Sequence, residues 1–498
     1  MNTALAAGSE ATSRRFLVVA ALLATFMQSM NISIPNAALL YMQGTMSMAD
    51  DEIGWVFTAY IASGAIVMPM TAWLAGRFGR KKVFLTSIAI FSVALVLDAL
   101  VQSPLECVAA RILQGAASGT LAPISLAILL DGQPAERQGR IGMTWNVFSL
   151  MGMLSGPAIG GVLSEYLGWP SIFYFSLPLS AFIALTMALY LREKKAEQVA
   201  SFDFFGLMTF AMGIMGVQMM LDRGERMEWF DSAEIWADAI MAALGFYLFI
   251  VHVLTKQNHF LNKALFKDRN FSIATLMYFA IGFILLPTLA LTSPMLEELL
   301  GYPAHTAGNV TIPRGIALVA AVILTFKPSP RIDNRLFLLG GLALVIYGNF
   351  RMMRYSPLMD WQAVVIAGVV QGAGLGVLLP ALTRAAFSTL SPAFRPEGTA
   401  FFNLTRLYGS TIGIAFVQIF FFNNTQAMHS ALAKHLRPYL IGSEAGNTIS
   451  SQALASLNDL VTGQAAMVGI IDQFKVLLVA GLVATPFVLF LRKPRIGN

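Results

Sequence analysis

Roughly fourteen apolar stretches, each about 20 residues long, run through this chain with short charged loops between them. A helix rises about 1.5 Å per residue, so about 20 apolar residues cross a hydrocarbon core of roughly 30 Å. Within that core the backbone must satisfy its own hydrogen bonds, and a helix does so inside one segment. The chain therefore reads as an all-α polytopic membrane protein. Its charge agrees: 12% of residues are Asp, Glu, Lys or Arg, about half the usual share of a soluble domain, and the mean hydropathy is +0.67.

The 498 residues leave little room for a soluble domain once fourteen spans are drawn. Function must sit inside the bundle or in its short loops. The spans are expected to begin at about 16, 53, 83, 107, 139, 169, 203, 233, 270, 305, 335, 360, 397 and 466. Arg14 and Arg15 precede a first run too long for a signal peptide's apolar region, so the first span is expected to stay as a helix. Placing the N-terminus in the cytoplasm puts about 22 Lys and Arg on that side, among them Arg77, Arg80, Arg137, Lys194, Lys195, Lys263, Lys327, Arg331, Lys493 and Arg495. The opposite loops hold only Arg223, Arg226, Arg351, Arg354, Lys434 and Arg437. That asymmetry supports both the span count and cytoplasmic termini. It also accounts for the net charge of +6 without nucleic acid as a partner.

An internal repeat organises the spans. Gln114-Gly115-Ala116 with Gly119, Leu121 and Pro123 recurs 257 residues later as Gln371-Gly372-Ala373 with Gly376, Leu378 and Pro380. The same offset carries Gly152 and Gly156 to Gly409 and Gly413. Residues 1–199 are read as one six-helix bundle, 200–265 as two inserted helices, and 266–498 as a second six-helix bundle. A polar outward loop is expected at about 425–465, with amphipathic helix in parts of it (Ala431, Leu432, Leu454, Leu457, Leu460) as an alternative reading. Parallel repeats about an axis along the membrane normal are a transporter plan with substrate at the repeat interface.

Four local patterns carry a family resemblance. Ala72-Trp73-Leu74-Ala75-Gly76-Arg77-Phe78-Gly79-Arg80-Lys81-Lys82 resembles the cytoplasmic loop motif of the major facilitator superfamily, with Gly76 where that motif has an acid. Arg111-Ile112-Leu113-Gln114-Gly115 resembles its fourth-span motif. Gly152, Gly156, Pro157, Gly160 and Gly161 resemble its antiporter signature in the fifth span. Leu221-Asp222-Arg223-Gly224, followed by Trp229-Phe230-Asp231-Ser232, is similar to the fourteen-span EmrB/QacA-type drug:proton antiporters. So are Pro396-Glu397-Gly398 through Asn403, Arg406 and Gly409, and the last span from Gln464-Ala465 onward.

The resemblance implies the major facilitator fold: two six-helix repeats plus two inserted helices. It also implies proton-driven export of amphipathic drugs or toxic compounds by alternating access, from a bacterial inner membrane. The energy source is the proton gradient, with no bound cofactor. A periplasmic adaptor of the EmrA type and an outer-membrane channel are implied partners, beside small-molecule substrates and the lipid bilayer. The alternatives are a dedicated exporter of one metabolite (an organic acid, siderophore or fatty acid) and an uncoupled facilitator or sensor. An enzyme is disfavoured, because the five histidines are scattered and neither H-E-x-x-H nor a Walker loop occurs.

No catalytic or metal-ligating set is assigned. The residues expected to serve substrate or coupling are Gln28, Asn31, Asn36, Arg111, Gln114, Gln371, Asn403 and Arg406, since polar and ionic groups inside a membrane are costly and mark pathways or interhelical bonds. Those expected to serve conformational change are Arg77, Gly79, Arg80, Gly152, Gly156, Pro157, Gly160, Asp222 and Arg223. Asn31 stands where EmrB-type pumps usually carry an aspartate, and an amide cannot take up a proton. Asp98, Asp222, Asp238, Glu297 and Asp472 are all expected toward the outer span ends, so no acid is evident at mid-membrane.

Overall fold

In the computed structural model the apolar runs become helices joined by tight turns. The structure describes residues 2–49, 52–131, 133–193, 202–256, 264–326, 333–391, 394–435 and 451–492. Lys194, Lys195, Lys263, Lys327, Arg331, Arg437, Lys493 and Arg495 lie outside them. Among the described residues every regular element is helical. Fourteen helices are long and apolar enough to span a bilayer: α1 Ser13–Met46, α2 Trp55–Phe78, α3 Arg80–Leu100, α4 Pro104–Leu130, α5 Arg137–Leu167, α6 Ser171–Tyr190, α7 Phe204–Arg223, α8 Ala233–Thr255, α9 Arg269–Leu299, α10 Ala304–Phe326, α11 Asn334–Met352, α12 Trp361–Phe387, α13 Glu397–His435 and α14 Ala455–Phe490.

Local chemistry sets the helix starts. Asp203, Ser232, Asp268, Asp333 and Asp360 each accept a hydrogen bond from a free backbone N–H in the first turn of α7, α8, α9, α11 and α12. At α4 the cap is reciprocal: Ser103 accepts from Glu106 N–H while the Glu106 carboxylate accepts from Gln102 N–H, with Pro104 opening the helix. Gly79, at φ +91°, turns α2 into α3 with a single residue, a conformation that a side chain would strain.

Two corrections to the sequence reading concern the last two spans. The final membrane helix starts at Ala455, not near 466, and the described parts of the expected loop, residues 425–435 and 451–465, are helix, as the amphipathic alternative has it. The 39 residues of α13 and 36 of α14 amount to about 58 and 54 Å, well beyond a core of roughly 30 Å. Both continue past the membrane on the side away from the termini, joined by Asn424–Asp472 and His429–Asn458 contacts of 3.1 and 3.2 Å. Sparse apolar residues hid these extensions, because two helices packed on each other need no continuous hydropathy. Residues 436–450 lie outside the described part.

Packing follows one scheme twice. In the first repeat α1 packs on α4, α5 and α6, α2 on α4, and α3 on α4 and α6; in the second α9 packs on α12, α13 and α14, α10 on α12, and α11 on α12 and α14. Adding eight to each helix number converts one set into the other. The repeats meet through α5 against α10 and α2 against α13, which this numbering also exchanges. Inserted α7 and α8 pack on each other, α7 rests on α13 and α2, and α8 is the least buried of the fourteen.

Contact between the repeats is concentrated on the side opposite the termini. There Gly161 of α5 abuts the Ala304 backbone, Gly308 abuts Pro157, and the Asn36 amide donates to Leu289 O at 2.6 Å. Glu165 of α5 accepts from the backbone N–H of His305 on α10 at 2.9 Å and meets its Nδ1 at 2.8 Å. Toward the termini the partnership lapses: no residue from Arg137 to Ser149 is buried, and Gly139 and Gly142 have open space beside them.

Candidate functional site

Helical spacing puts Arg111, Gln114 and Ser118 of α4 on one face, three and four residues apart. That face meets α1, the last turn of α3 and the start of α6. Arg111 is fully buried, the largest side chain among the described residues to be so. Its Nη1 donates to Gln114 Oε1 at 2.7 Å and to Asn31 O at 3.4 Å. Gln114 Nε2 donates to Asn31 Oδ1 at 3.2 Å, and Asn31 Nδ2 donates to Ser176 Oγ at 3.0 Å and to Met27 O at 2.9 Å. The guanidinium lies over the Phe173 ring at 4.8 Å and the Tyr60 ring at 5.9 Å, which favours a desolvated cation.

The acid of this cluster is Asp98, which sequence reasoning placed only as an outer-end residue. It is fully buried, with Oδ1 3.8 Å from Arg111 Nε. Neither carboxylate oxygen has a hydrogen-bond partner, nor do Arg111 Nε and Nη2. The signal was present in the sequence as an ionisable residue in an apolar helix. Its partner could not be read, because Arg111 sits on a different helix whose rotation is set by packing.

The second repeat builds the same framework with different groups. Offset by 257 residues, Asn31 becomes Thr288, Gln114 becomes Gln371 and Arg111 becomes Gly368. Gln371 Nε2 donates to Thr288 Oγ1 at 3.2 Å and to Asn349 Oδ1 at 2.5 Å. The room left by Gly368 is taken by Arg314 of α10, whose Cβ stands 3.3 Å from where a side chain on Gly368 would begin. Arg314 is buried, donates to Leu285 O at 3.3 Å, and forms no ion pair among the described residues. Arg406 lies beside the Tyr278 ring at 5.9 Å, and Asn403 bonds back to Thr399 O within α13. These two are not brought to the Arg111 cluster. Gln28 contributes its backbone carbonyl to Tyr60 Oη at 2.9 Å.

The fifth-span glycines form a contact surface. A Cβ on Gly152, Gly156 or Gly160 would stand 2.1–2.3 Å from Phe26 O, Ser33 Oγ or Ile34 O of α1, so only glycine permits this approach. Pro157 and Gly161 face α10 instead, and the helix runs unbroken through Pro157. At the loop motif, acids from other elements meet the basic stretch. Arg80 Nη1 meets both oxygens of Asp131, at the end of α4, at 2.9 Å. The Glu193 carboxylate accepts from the backbone N–H groups of Lys81 and Lys82 at 3.3 Å, at the positive end of α3. Arg77 packs on the Trp73 ring at 5.8 Å.

Asp222 docks the inserted pair: it accepts from Gln218 Nε2 at 2.8 Å and from Thr58 Oγ1 of α2 at 3.3 Å. Arg223 pairs with Glu234 at 2.8 Å. The loop beyond reaches both repeats, Arg226 to Glu52 at 3.2 Å and Glu225 to Asn423 at 2.8 Å. No group of three or more His, Cys, Asp or Glu able to hold a metal occurs among the described residues.

These features have parallels in known proteins. The chain is 27% identical over 493 residues to the multidrug export protein EmrB of Haemophilus influenzae, covering 97% of this chain and 96% of the relative. It is 27% identical to the fatty acid resistance protein FarB of Neisseria gonorrhoeae, over 95% of this chain and 94% of that one. Among solved structures, a bacterial homolog of the human lysosomal transporter Spinster, in an inward-facing and unoccupied conformation, superposes with a TM-score of 0.65 at 15% identity, over 97% of this chain and 99% of the other. The sequence model of the Major Facilitator Superfamily matches residues 21–414. With fourteen spanning helices in two related six-helix repeats, the chain belongs to the Major Facilitator Superfamily.

Proposed function

We propose that the protein is a drug-efflux transporter that expels amphipathic organic compounds in exchange for protons. The observation that carries this reading is the uneven contact between the repeats. They are closed through α5 and α10 on one side, whereas on the other no residue of α5 from 137 to 149 is fully buried and Gly139 and Gly142 have open space beside them. Two related bundles whose contact is concentrated on one side can rock to expose a central path to alternate sides. The excess of Lys and Arg in the loops beside the termini supports a cytoplasmic placement of that side, and likeness to EmrB of Haemophilus influenzae supports a bacterial inner membrane. The side with less contact then takes substrate from the cell. Likeness to a multidrug export protein and to a fatty acid resistance protein supports a broad amphipathic substrate class. The fully buried Arg111, paired with the buried Asp98 at 3.8 Å without a hydrogen bond, supports ion coupling. A periplasmic adaptor of the EmrA type belongs to the same reading.

The test is transport by purified protein in sealed vesicles. Under an imposed pH gradient, ethidium should accumulate against its own gradient and should stop when a protonophore collapses the pH difference. Accumulation that persists without any proton gradient would remove the antiport reading.

A further inference from the structure

We propose that Asp98 is the proton-carrying acid of this transporter, alternating between an ion pair with Arg111 and a protonated form that releases it. This rests on the antiport reading above and assigns the residue that performs the exchange.

An exchanger of this kind needs an acid that gains and loses a proton away from bulk water, beside a group whose position depends on the outcome. Asn31 cannot serve. Of the other span acids singled out, Asp222 accepts from Gln218 and Thr58, Glu165 is held by His305, and Asp472 pairs with Lys475. Asp238 has one buried oxygen without a hydrogen bond and lies on α8, the least buried helix. Glu297 sits in the last turn of α9, where one oxygen is unpartnered. Among the described residues Asp98 alone is an acid with both oxygens buried and free of hydrogen bonds.

A buried ion pair at 3.8 Å without a hydrogen bond is poorly repaid for its desolvation. The pairing that protonation would end is therefore a weak one, as a carrier requires. The charged or titratable groups facing Asp98 are Arg111 and Cys107 from α4 and Tyr60 from α2. From α6 the cluster receives the Phe173 ring and the Ser176 hydroxyl, and from α1 it receives Asn31. Arg111 is the only cation among them.

Asp98 is two residues from the end of α3 on the side away from the termini. A proton arriving from that side adds to one carboxylate oxygen, converting carboxylate to carboxyl and ending the ion pair. Arg111 then bonds only to Gln114 and to the Asn31 carbonyl of α1, the helix that packs on the glycine face of α5. Loss of the proton to the terminus-bearing side restores the carboxylate and the pair. One proton crosses per cycle of this site.

Two measurements test the assignment. In vesicles containing ethidium and a lumenal pH dye, Asp98→Asn should lose ethidium-driven proton flux at least tenfold relative to the unaltered protein, while exchange of ethidium against ethidium continues. Asp98→Glu should keep the flux with its pH midpoint displaced. Flux in Asp98→Asn equal to that of the unaltered protein, or an unmoved midpoint in Asp98→Glu, overturns the assignment and leaves antiport standing. Absence of proton flux in the unaltered protein while ethidium exchanges overturns antiport itself and the assignment with it. The second measurement needs no substrate. An infrared pH titration of the protein in lipid should show a carboxyl C=O band that Asp98→Asn lacks and Asp98→Glu shifts; an identical titration in all three overturns the assignment.

Discussion

The two repeats share one framework and differ in what they bury in it. Each ties its first helix to its fourth through a buried glutamine, Gln114 to Asn31 in one and Gln371 to Thr288 in the other. Each brings its fifth helix onto its first through glycine, Gly152 against Phe26 O and Gly409 against Phe279 O, both at 2.2 Å for an added Cβ. The first repeat then holds an arginine beside an acid, Arg111 with Asp98. The second holds Arg314, from a different helix, with no carboxylate beside it among the described residues. Duplication thus preserved the packing scaffold and let the charge chemistry diverge.

The sharpest way to break this comparison is to remove each arginine in turn. Arg111→Ala leaves Asp98 buried without a cation, a loss of about 3–5 kcal/mol for broken buried pairs. Gradient-driven ethidium transport should fall at least a hundredfold and the thermal midpoint should drop. Arg314→Ala breaks no ion pair, and its midpoint should fall less; equal losses in both would deny the asymmetry.

The glycines test the shared half of the comparison. Gly152→Ala and Gly409→Ala each force a Cβ against a carbonyl, and overpacking of this kind costs about 1–3 kcal/mol. Denaturation of both variants in detergent should show matched destabilisation, since the two contacts have the same distance.

Smaller differences are expected at the glutamines. Gln114→Ala removes an acceptor from a charged donor, about 1.5–3 kcal/mol, whereas Gln371→Ala removes neutral bonds of about 1 kcal/mol. The pH dependence of transport should change in Gln114→Ala and stay fixed in Gln371→Ala. The smallest effect belongs to the loop. Arg80 and Asp131 are both more than a third exposed, so Arg80→Ala should cost at most about 1 kcal/mol in stability, with any loss of transport rate appearing without a change in pH profile.

The fold was legible from the chain alone wherever the determining quantity is local. Span length, hydropathy and loop charge are sums over neighbouring residues, and thirteen of the fourteen spans begin within about three residues of their expected positions. The 257-residue repeat foretold that Gly152 and Gly409, or Gln114 and Gln371, would play matching parts. The last two helices escaped because their outer ends are stabilised by each other, which no window of hydropathy records.

What tertiary structure alone decided is who meets whom. Asp98 and Arg111 are 13 positions apart but on separate helices, Arg314 fills the place vacated by Gly368, and Arg80 of the loop motif pairs with Asp131 from the end of α4. Each pairing depends on the rotation and close approach of packed helices, fixed by contacts spread over the whole bundle. Burial of a charge can be read residue by residue; the identity of its neutralising partner is a property of the assembled repeats.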